Sequence, residues 1–468
     1  MLSIDGKKGW QRLFPTTEFH MTTSPMMTQA LSLSTLMLLV ACVAPPPGPE
    51  IKTAERFTWR DAPVIDVLGL EPETDYWLNL ERASAYTPTA TERSSTLYRS
   101  DANGRIDTSV TLAKDEPTAD PYFPIRSMSY ADEPSQVQPG RLKIDLLTST
   151  REPVTSRTIG IGTDPASYTE FALGAEFPGA FVWRRVEADA AEPILFVLGG
   201  SEGGDGGARY GSPAFVEAGY TVVGLPYYSP AWFGNSAAIP DLPRAFADLP
   251  IDYLERAVMA ARQLDGVNPD SVQLMGTSKG AEYVLLASSL ISDDSAGGGF
   301  CSVVANVPSD VVWEGWGAGA NAGETSGFSW RGEPLDFVPY TDIGRALAAR
   351  GRDDDYTMSD AHALGRKDNP DRVEPARIFV ERIDEPVLVV GGDMDTVWPS
   401  GEMSRAIKTT RDVHGLETEA YIYPKAGHGS GGNPLRRGGQ DNLAAQLENY
   451  PATFDFLARH ARRDDCRD

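Results

Sequence analysis

The sequence predicts an α/β protein preceded by a small all-β domain, and three observations predict it. From about residue 155 onward, short apolar runs alternate with helix-length ones, the texture of a mostly parallel sheet flanked by helices. Before that point the runs are short and β-rich, with turn residues between them. One strand-to-helix junction, Gly276-Thr277-Ser278-Lys279-Gly280, places a serine between two glycines. Side chains at the flanking positions of so tight a turn would collide with the neighbouring strand and helix.

In chain order, the first segment reads as a leader. Residues Thr28 to Ala41 are mostly apolar and too short for a dependable membrane span, and they end in Leu39-Val40-Ala41-Cys42, which looks like a bacterial lipobox. We therefore expect a lipoprotein-type signal peptide over 1–41, with Lys7, Lys8 and Arg12 as its basic region and Met21 or Met26 as alternative starts. Acylated Cys42 would anchor the chain to a membrane at the periplasmic or extracellular face of the cell envelope. If the segment is not an export leader, the chain is cytoplasmic. Residues 42–52, with Val43-Ala44-Pro45-Pro46-Pro47, read as an extended tether.

Residues 53–150 read as a β-sandwich, with runs at Pro63 to Leu68, Tyr76 to Leu80, Thr96 to Arg99 and Ile106 to Leu112, and a turn at Asp101-Ala102-Asn103-Gly104. Residues 151–463 read as the catalytic domain. Its strands are expected at Gly179 to Val186, Ile194 to Leu198, Thr221 to Leu225, Val272 to Met275, Ser302 to Val307, Val387 to Val390 and Ala420 to Tyr423. Helices are expected at Ile251 to Leu264 and Ala281 to Ile291. The stretch 308–385, with Trp313, Trp316, Phe328 and Trp330, is a lid-like insertion over the strand ends, its aromatics either lining an acyl pocket or packing the insertion onto the core.

A serine hydroxyl becomes a useful nucleophile when a histidine takes its proton, and the histidine needs a carboxylate to fix its tautomer. Of five histidines only His428 directly follows a strand, after Tyr421-Ile422-Tyr423; His362 and His414 fall in polar stretches and His460 on the last helix. The carboxylate is expected in the loop after Val387 to Gly392, at Asp395 or, failing that, Asp393. The order Ser278, Asp395, His428 is that of the α/β-hydrolases. An oxyanion at the attacked carbonyl needs backbone donors, one of which is typically worth about 3 kcal/mol of barrier. Lys279 supplies the first N–H, and Gly200 or Ser201 in Gly199-Gly200-Ser201-Glu202-Gly203-Gly204 the second. The Lys279 side chain is read as solvated or bonded to the loop. A phosphate-cradling loop is the competing reading, but no Gly-Lys-Ser/Thr ending follows.

The 66 acidic and 42 basic residues, a formal charge of -24, argue against nucleic-acid binding and describe a hydrated surface. No Cys/His cluster has metal spacing, so neither metal nor cofactor is expected. Cys301 reads as a buried thiol and Cys466 as part of a charged tail, with a disulfide between them possible but not required.

These residues resemble the acyl-CoA thioesterase and bile acid-CoA:amino acid N-acyltransferase family. The resemblance runs from about Ala62 to the end and rests on the Gly276 to Gly280 pentapeptide, Pro226-Tyr227-Tyr228, Val380-Glu381-Arg382, Gly392 through Asp395 to Trp398, and Tyr423-Pro424 before Gly427-His428. It implies a β-sandwich followed by an α/β-hydrolase domain, with Ser278 as nucleophile, Asp395 as acid and His428 as base. The family's transferases carry cysteine at the nucleophile. Serine here implies a hydrolase of an acyl thioester or ester, a small-molecule substrate, acting through an acyl-serine. Alternatives are an acyl-CoA:amino acid N-acyltransferase and a lipid-tethered binding protein with a degenerate hydrolase fold. Export would remove the chain from cytoplasmic acyl-CoA and widen the expected substrate to other esters or thioesters.

Overall fold

Two patterns of burial divide the chain, seen in a computed structural model that describes residues 48–84, 90–131, 133–188, 190–230, 238–291, 295–349 and 355–461. The leader 1–41, Cys42 and Cys466 lie outside the described residues. In the first pattern, strand Asp75–Ala83 alternates buried with half-buried residues, turning Tyr76, Leu78 and Leu80 inward. Such alternation suits an antiparallel sheet with one face on a core. This strand sits in a six-stranded sheet ordered Arg56–Phe57, Pro153–Ile161, Arg141–Thr148, Asp75–Ala83, Thr91–Arg99, Ser129–Ala131. A three-stranded sheet of Glu50–Lys52, Asp66–Leu68 and Ile106–Asp107 shares its core, where Ile51, Val67 and Ile106 meet Leu78, Leu80 and Ile144.

Strand pairing moves the edges read from sequence. Glu50–Lys52, placed in the 42–52 tether, pairs with Asp66–Leu68 because Ile51 is an apolar residue with a core to enter. Pro153–Ile161 pairs with Arg141–Thr148, so the β-rich part runs to 161 rather than 150. The run Ile106 to Leu112 shrinks to Ile106–Asp107, and Val110 and Leu112 are exposed.

The second pattern is uniform burial. We label the strands of the large sheet β1 (Tyr168–Ala172), β2 (Phe181–Arg185), β3 (Glu192–Leu198), β4 (Thr221–Gly224), β5 (Val267–Thr277), β6 (Ser302–Asn306), β7 (Val387–Gly392) and β8 (Thr418–Tyr423). Every residue of β4, β6 and β7 is buried, as expected of strands covered on both faces. The order is β1-β2-β4-β3-β5-β6-β7-β8, antiparallel through β1, β2 and β4 and parallel from β4 onward. This is an α/β-hydrolase sheet. The chain leaves β3 toward β4 on one side and returns to β5 on the other, which opens a crevice at the carboxyl ends of β3 and β5.

Four helices flank this sheet. Helix α1 (Asp252–Ala261) buries Tyr253, Leu254, Ala257, Val258 and Ala261, one face at helical spacing. Helix α2 (Lys279–Leu290) is buried from Lys279 to Ser288, as a helix enclosed on all sides should be. Helices α3 (Ser400–Val413) and α4 (Gln440–His460) follow β7 and β8. The β-rich part is fastened to this frame: Trp59 stacks on Phe454 of α4, Leu435 and Leu443 enter the first core, and Arg82 pairs with Glu92 while donating to the Leu435 carbonyl.

Within 308–385, Trp313 and Phe328 are fully buried, and Trp316 stacks on Phe246. These aromatics pack the insertion onto the core. Arg411 of α3 ties down its end: the guanidinium, wholly buried, donates to the carbonyls of Val380, Ile383, Glu385 and Glu417. Burial pushes its pKa down to about 10, still well above neutrality. Replacing Arg411 with Ala strands these carbonyls away from water, and we expect a loss of about 3 kcal/mol or more of unfolding free energy in urea titration.

Candidate active site

The register of the central strands fixes where the serine falls. Leu198 of β3 faces Gly276 of β5, so the loop beyond β3 runs alongside Ser278. Ser278 occupies φ 58°, ψ -120°, a conformation that costs an L-residue on the order of 1–3 kcal/mol. Its surroundings impose it. A Cβ at Gly276 would lie 2.1 Å from the Gly280 carbonyl oxygen, and one at Gly280 would lie 2.3 Å from that of Gly199. The Ser278 N–H donates to the Asn306 carbonyl at 2.9 Å, and its own carbonyl accepts from Ala281 and Glu282 as the helix begins.

Ser278 Oγ lies 2.9 Å from Nε2 of His428, and His428 Nδ1 lies 2.8 Å from Oδ2 of Asp395. A carboxylate only accepts, so Nδ1 carries the proton and Nε2 offers its lone pair to the hydroxyl. Asp395 is 4% exposed and held from several sides: Ser400 Oγ donates to Oδ2 at 2.6 Å, and the Val397 N–H to Oδ1 at 2.8 Å. Asp393 is not part of this chain, since Arg405 takes both of its oxygens at 2.7 and 2.8 Å. The His428 loop is clamped by one face of α4: Asn442 accepts the Gly427 N–H, Gln446 donates to the Gly429 carbonyl, and Asn449 donates to that of Ser430. No residue pattern marks Ser400 or these three amides, because each acts on a partner distant along the chain or across a turn.

The loop after β3 is also tied. Tyr227 donates to the Gly199 carbonyl at 2.9 Å and Tyr228 to that of Ser201, which gives Pro226-Tyr227-Tyr228 a physical role. The Gly200 N–H, read from sequence as one choice of oxyanion donor, is occupied: Glu202 bends back and accepts it at 2.9 Å. Among the described residues, the N–H groups of Ser201 and Lys279 have no acceptor. The Lys279 side chain is neither solvated nor bonded to the loop. It is buried on Glu282 at 2.8 Å, with its Nζ 5.2 to 5.4 Å from the rings of Phe246, Trp316 and Trp398. Burial lowers the Lys279 pKa and raises that of Glu282, whose other oxygen accepts the Trp313 N–H.

A cavity of about 920 Å³ opens beside Ser278 and His428. Phe215, Met275 and Met358 supply apolar wall, and Arg126, Arg436 and Arg437 supply positive charge. Trp313, Trp316, Phe328 and Trp330 do not line it. Arg126 also pairs with Asp120, and Arg437 lies 3.7 Å over the Tyr130 ring. Cys301 is not a free thiol but is disulfide-bonded. Among the described residues, no group of three or more His, Cys, Asp and Glu side chains is placed to hold a metal ion, and no helix is long and apolar enough to cross a membrane.

No protein-family model matches the sequence. Acyl-coenzyme A thioesterase 1 of Rattus norvegicus is 26% identical over 401 residues, covering 81% of this chain and 84% of its own length. Acyl-coenzyme A thioesterase 1 of Mus musculus is 28% identical over 235 residues, covering 50% of this chain and 47% of its own. Among solved structures, a putative dienelactone hydrolase of Klebsiella pneumoniae subsp. pneumoniae is 14% identical with a TM-score of 0.38, over 60% of this chain and 92% of that one.

His362, polar by its sequence context, is buried against Trp313, Tyr340 and Trp398, and donates from Nδ1 to the Met358 carbonyl. Burial pushes its pKa down to about 3. The unfolded chain, near pKa 6.5, takes up this proton first, so stability is full above about pH 6.5 and falls as the pH drops toward 3, by up to about 1.4 kcal/mol per unit. The difference in urea unfolding between wild type and His362→Phe across that window should show this slope removed.

Proposed function

We propose that this chain, a relative of the acyl-coenzyme A thioesterases and itself a hydrolase of acyl thioesters or esters, works through an acyl-enzyme on Ser278. The unbroken hydrogen-bonded chain from Ser278 through His428 to Asp395 carries this reading. His428 Nε2 takes the hydroxyl proton as Oγ attacks the acyl carbonyl, and Asp395 stabilises the imidazolium that forms. The N–H groups of Lys279 and Ser201 bind the oxyanion. His428 then returns the proton to the leaving thiolate or alkoxide, and the acyl group stays on Oγ. Water, deprotonated by the same nitrogen, releases the carboxylic acid.

An acyl-serine is an oxoester, and amines have less advantage over water at an oxoester than at a thioester. Serine therefore supports hydrolysis over conjugation to an amino acid. The cavity supports a substrate with an apolar acyl part and a polar or anionic remainder, through Phe215 and Met275 on one hand and the arginines on the other.

Export and acylation at Cys42 are the localisation we favour. Leu39-Val40-Ala41-Cys42 supports it, and the disulfide at Cys301 is a bond that persists in oxidising compartments. A chain so placed meets esters and thioesters outside the cytoplasm.

Ser278→Ala should abolish covalent labelling by a fluorophosphonate probe, and unchanged labelling would rule out the nucleophile. Asp395→Asn should lower kcat by about 10⁴-fold by fixing the wrong histidine tautomer, whereas Asp393→Asn should stay within a few-fold of wild type in the same ester assay. Metabolic labelling with palmitate should tag wild type and not Cys42→Ala.

A further inference from the structure

Glu202 is a carboxyl group beside a proposed site of developing negative charge, and nothing in the steps above uses it. Its surroundings are built around it. Oε1 accepts the Gly200 N–H at 2.9 Å, and a Cβ at Gly199 or Gly207 would lie only 2.6 or 2.0 Å from that same oxygen. A point beside the Gly200 Cα lies 2.9 Å from both Glu202 Oε2 and Ser278 Cβ. Three glycines thus leave the space that the carboxyl group fills, next to the nucleophile. The Gly200 N–H lies in the peptide plane before Gly200 and the Ser201 N–H in the plane after it; Glu202 fixes the first, and the Gly203 N–H, donating to the Gly200 carbonyl at 3.3 Å, fixes the second, so the two together set how the Ser201 N–H is turned.

We propose that Glu202 is a positioning residue of this hydrolase, holding the Gly200 N–H so that the Ser201 N–H is presented to the acyl carbonyl, and that it does so as a neutral carboxylic acid. The proposal rests on the acyl-Ser278 reading. A carboxylate there would repel the oxyanion that Ser201 and Lys279 bind; a neutral acid still accepts the Gly200 N–H through its carbonyl oxygen. Burial raises the Glu202 pKa, against the opposing effect of its own and the Gly200 N–H. The charged and titratable groups around it come from three segments. Arg436 and His428 lower its pKa when positive, and Tyr227 and Tyr228, both raised above the usual tyrosine range by burial, stay neutral beside it. The helix starting at Gly206 and the end of β3 offer glycine backbone.

The charge requirement gives the activity an alkaline limit set by ionisation of Glu202. Hydrolysis of a p-nitrophenyl ester by wild type, Glu202→Gln and Glu202→Ala is to be followed from pH 5 to 10, with fluorophosphonate labelling of each preparation. Glutamine keeps an acceptor for Gly200 and never ionises. It should hold kcat within about threefold of wild type at pH 7 and lose the alkaline decline. Alanine should lower kcat by about 10- to 100-fold with KM within threefold, the size of effect expected from a displaced oxyanion donor. An alanine variant as fast as wild type, or a glutamine variant that keeps the alkaline decline, would overturn the proposal. If alanine prevents folding, the glutamine profile alone decides. Wild type that hydrolyses the ester but takes no label at Ser278 would instead overturn the acyl-serine reading.

Discussion

The backbone of the β3 loop and the backbone of the turn after β5 approach until no side chain fits between them, and the rest of the site depends on this contact. The Gly199 carbonyl stands 2.3 Å from where a Gly280 Cβ would be. A larger residue at Gly280 or Gly200 would push the loop off the turn and move the Ser201 N–H away from the Ser278 hydroxyl. The strain in Ser278 is tolerated because three elements hold it: the Asn306 carbonyl from β6, the first turn of α2, and the loop of β3. The sheet therefore acts as the jig in which an unfavourable backbone conformation is assembled.

A second layer of constraint surrounds this contact. Lys279 follows Ser278 and is a surface residue by type, yet its ammonium is buried between Glu282 and three aromatic rings. Breaking such a pair leaves one charge buried alone, which is far more costly than leaving both in water. Glu282 also takes the Trp313 N–H, so the insertion 308–385 is bound to the helix that begins at the serine. Trp398 closes the ring: it packs on Lys279, stacks edge-on to His428 at 5.9 Å, and donates to the Val307 carbonyl. The loops of β5, β6, β7 and β8 are thereby joined through one indole.

Much of this was legible in the residues. The apolar runs within β4, β6 and β7 announce strands buried on two faces, and glycines at 276 and 280 announce the turn. β1 was missed because Tyr168–Ala172 is an edge strand with mostly exposed side chains, carrying no apolar pattern. Asp395 and Asp393 are indistinguishable by spacing. Only the fold shows that Arg405 on the facing turn of α3 takes one and His428 the other. His362 looked solvated because its neighbours in sequence are charged, while its neighbours in space are aromatic. Glu202 was hidden for a related reason, since a carboxyl group that folds back on its own loop leaves no periodic trace.

The cavity wall has a consequence for how such a protein diversifies. Arg126, Met128 and Tyr130 belong to the β-rich part of the chain, yet they face the same space as Ser278 and His428. Ser278 and His428 and a share of the cavity wall beside them are therefore encoded more than a hundred residues apart. Substitutions along one sheet edge are free to reshape the binding surface while the strained turn and its supports stay untouched. For this architecture, the upstream sheet edge is the part of the cavity wall that can change at least risk to the strained turn.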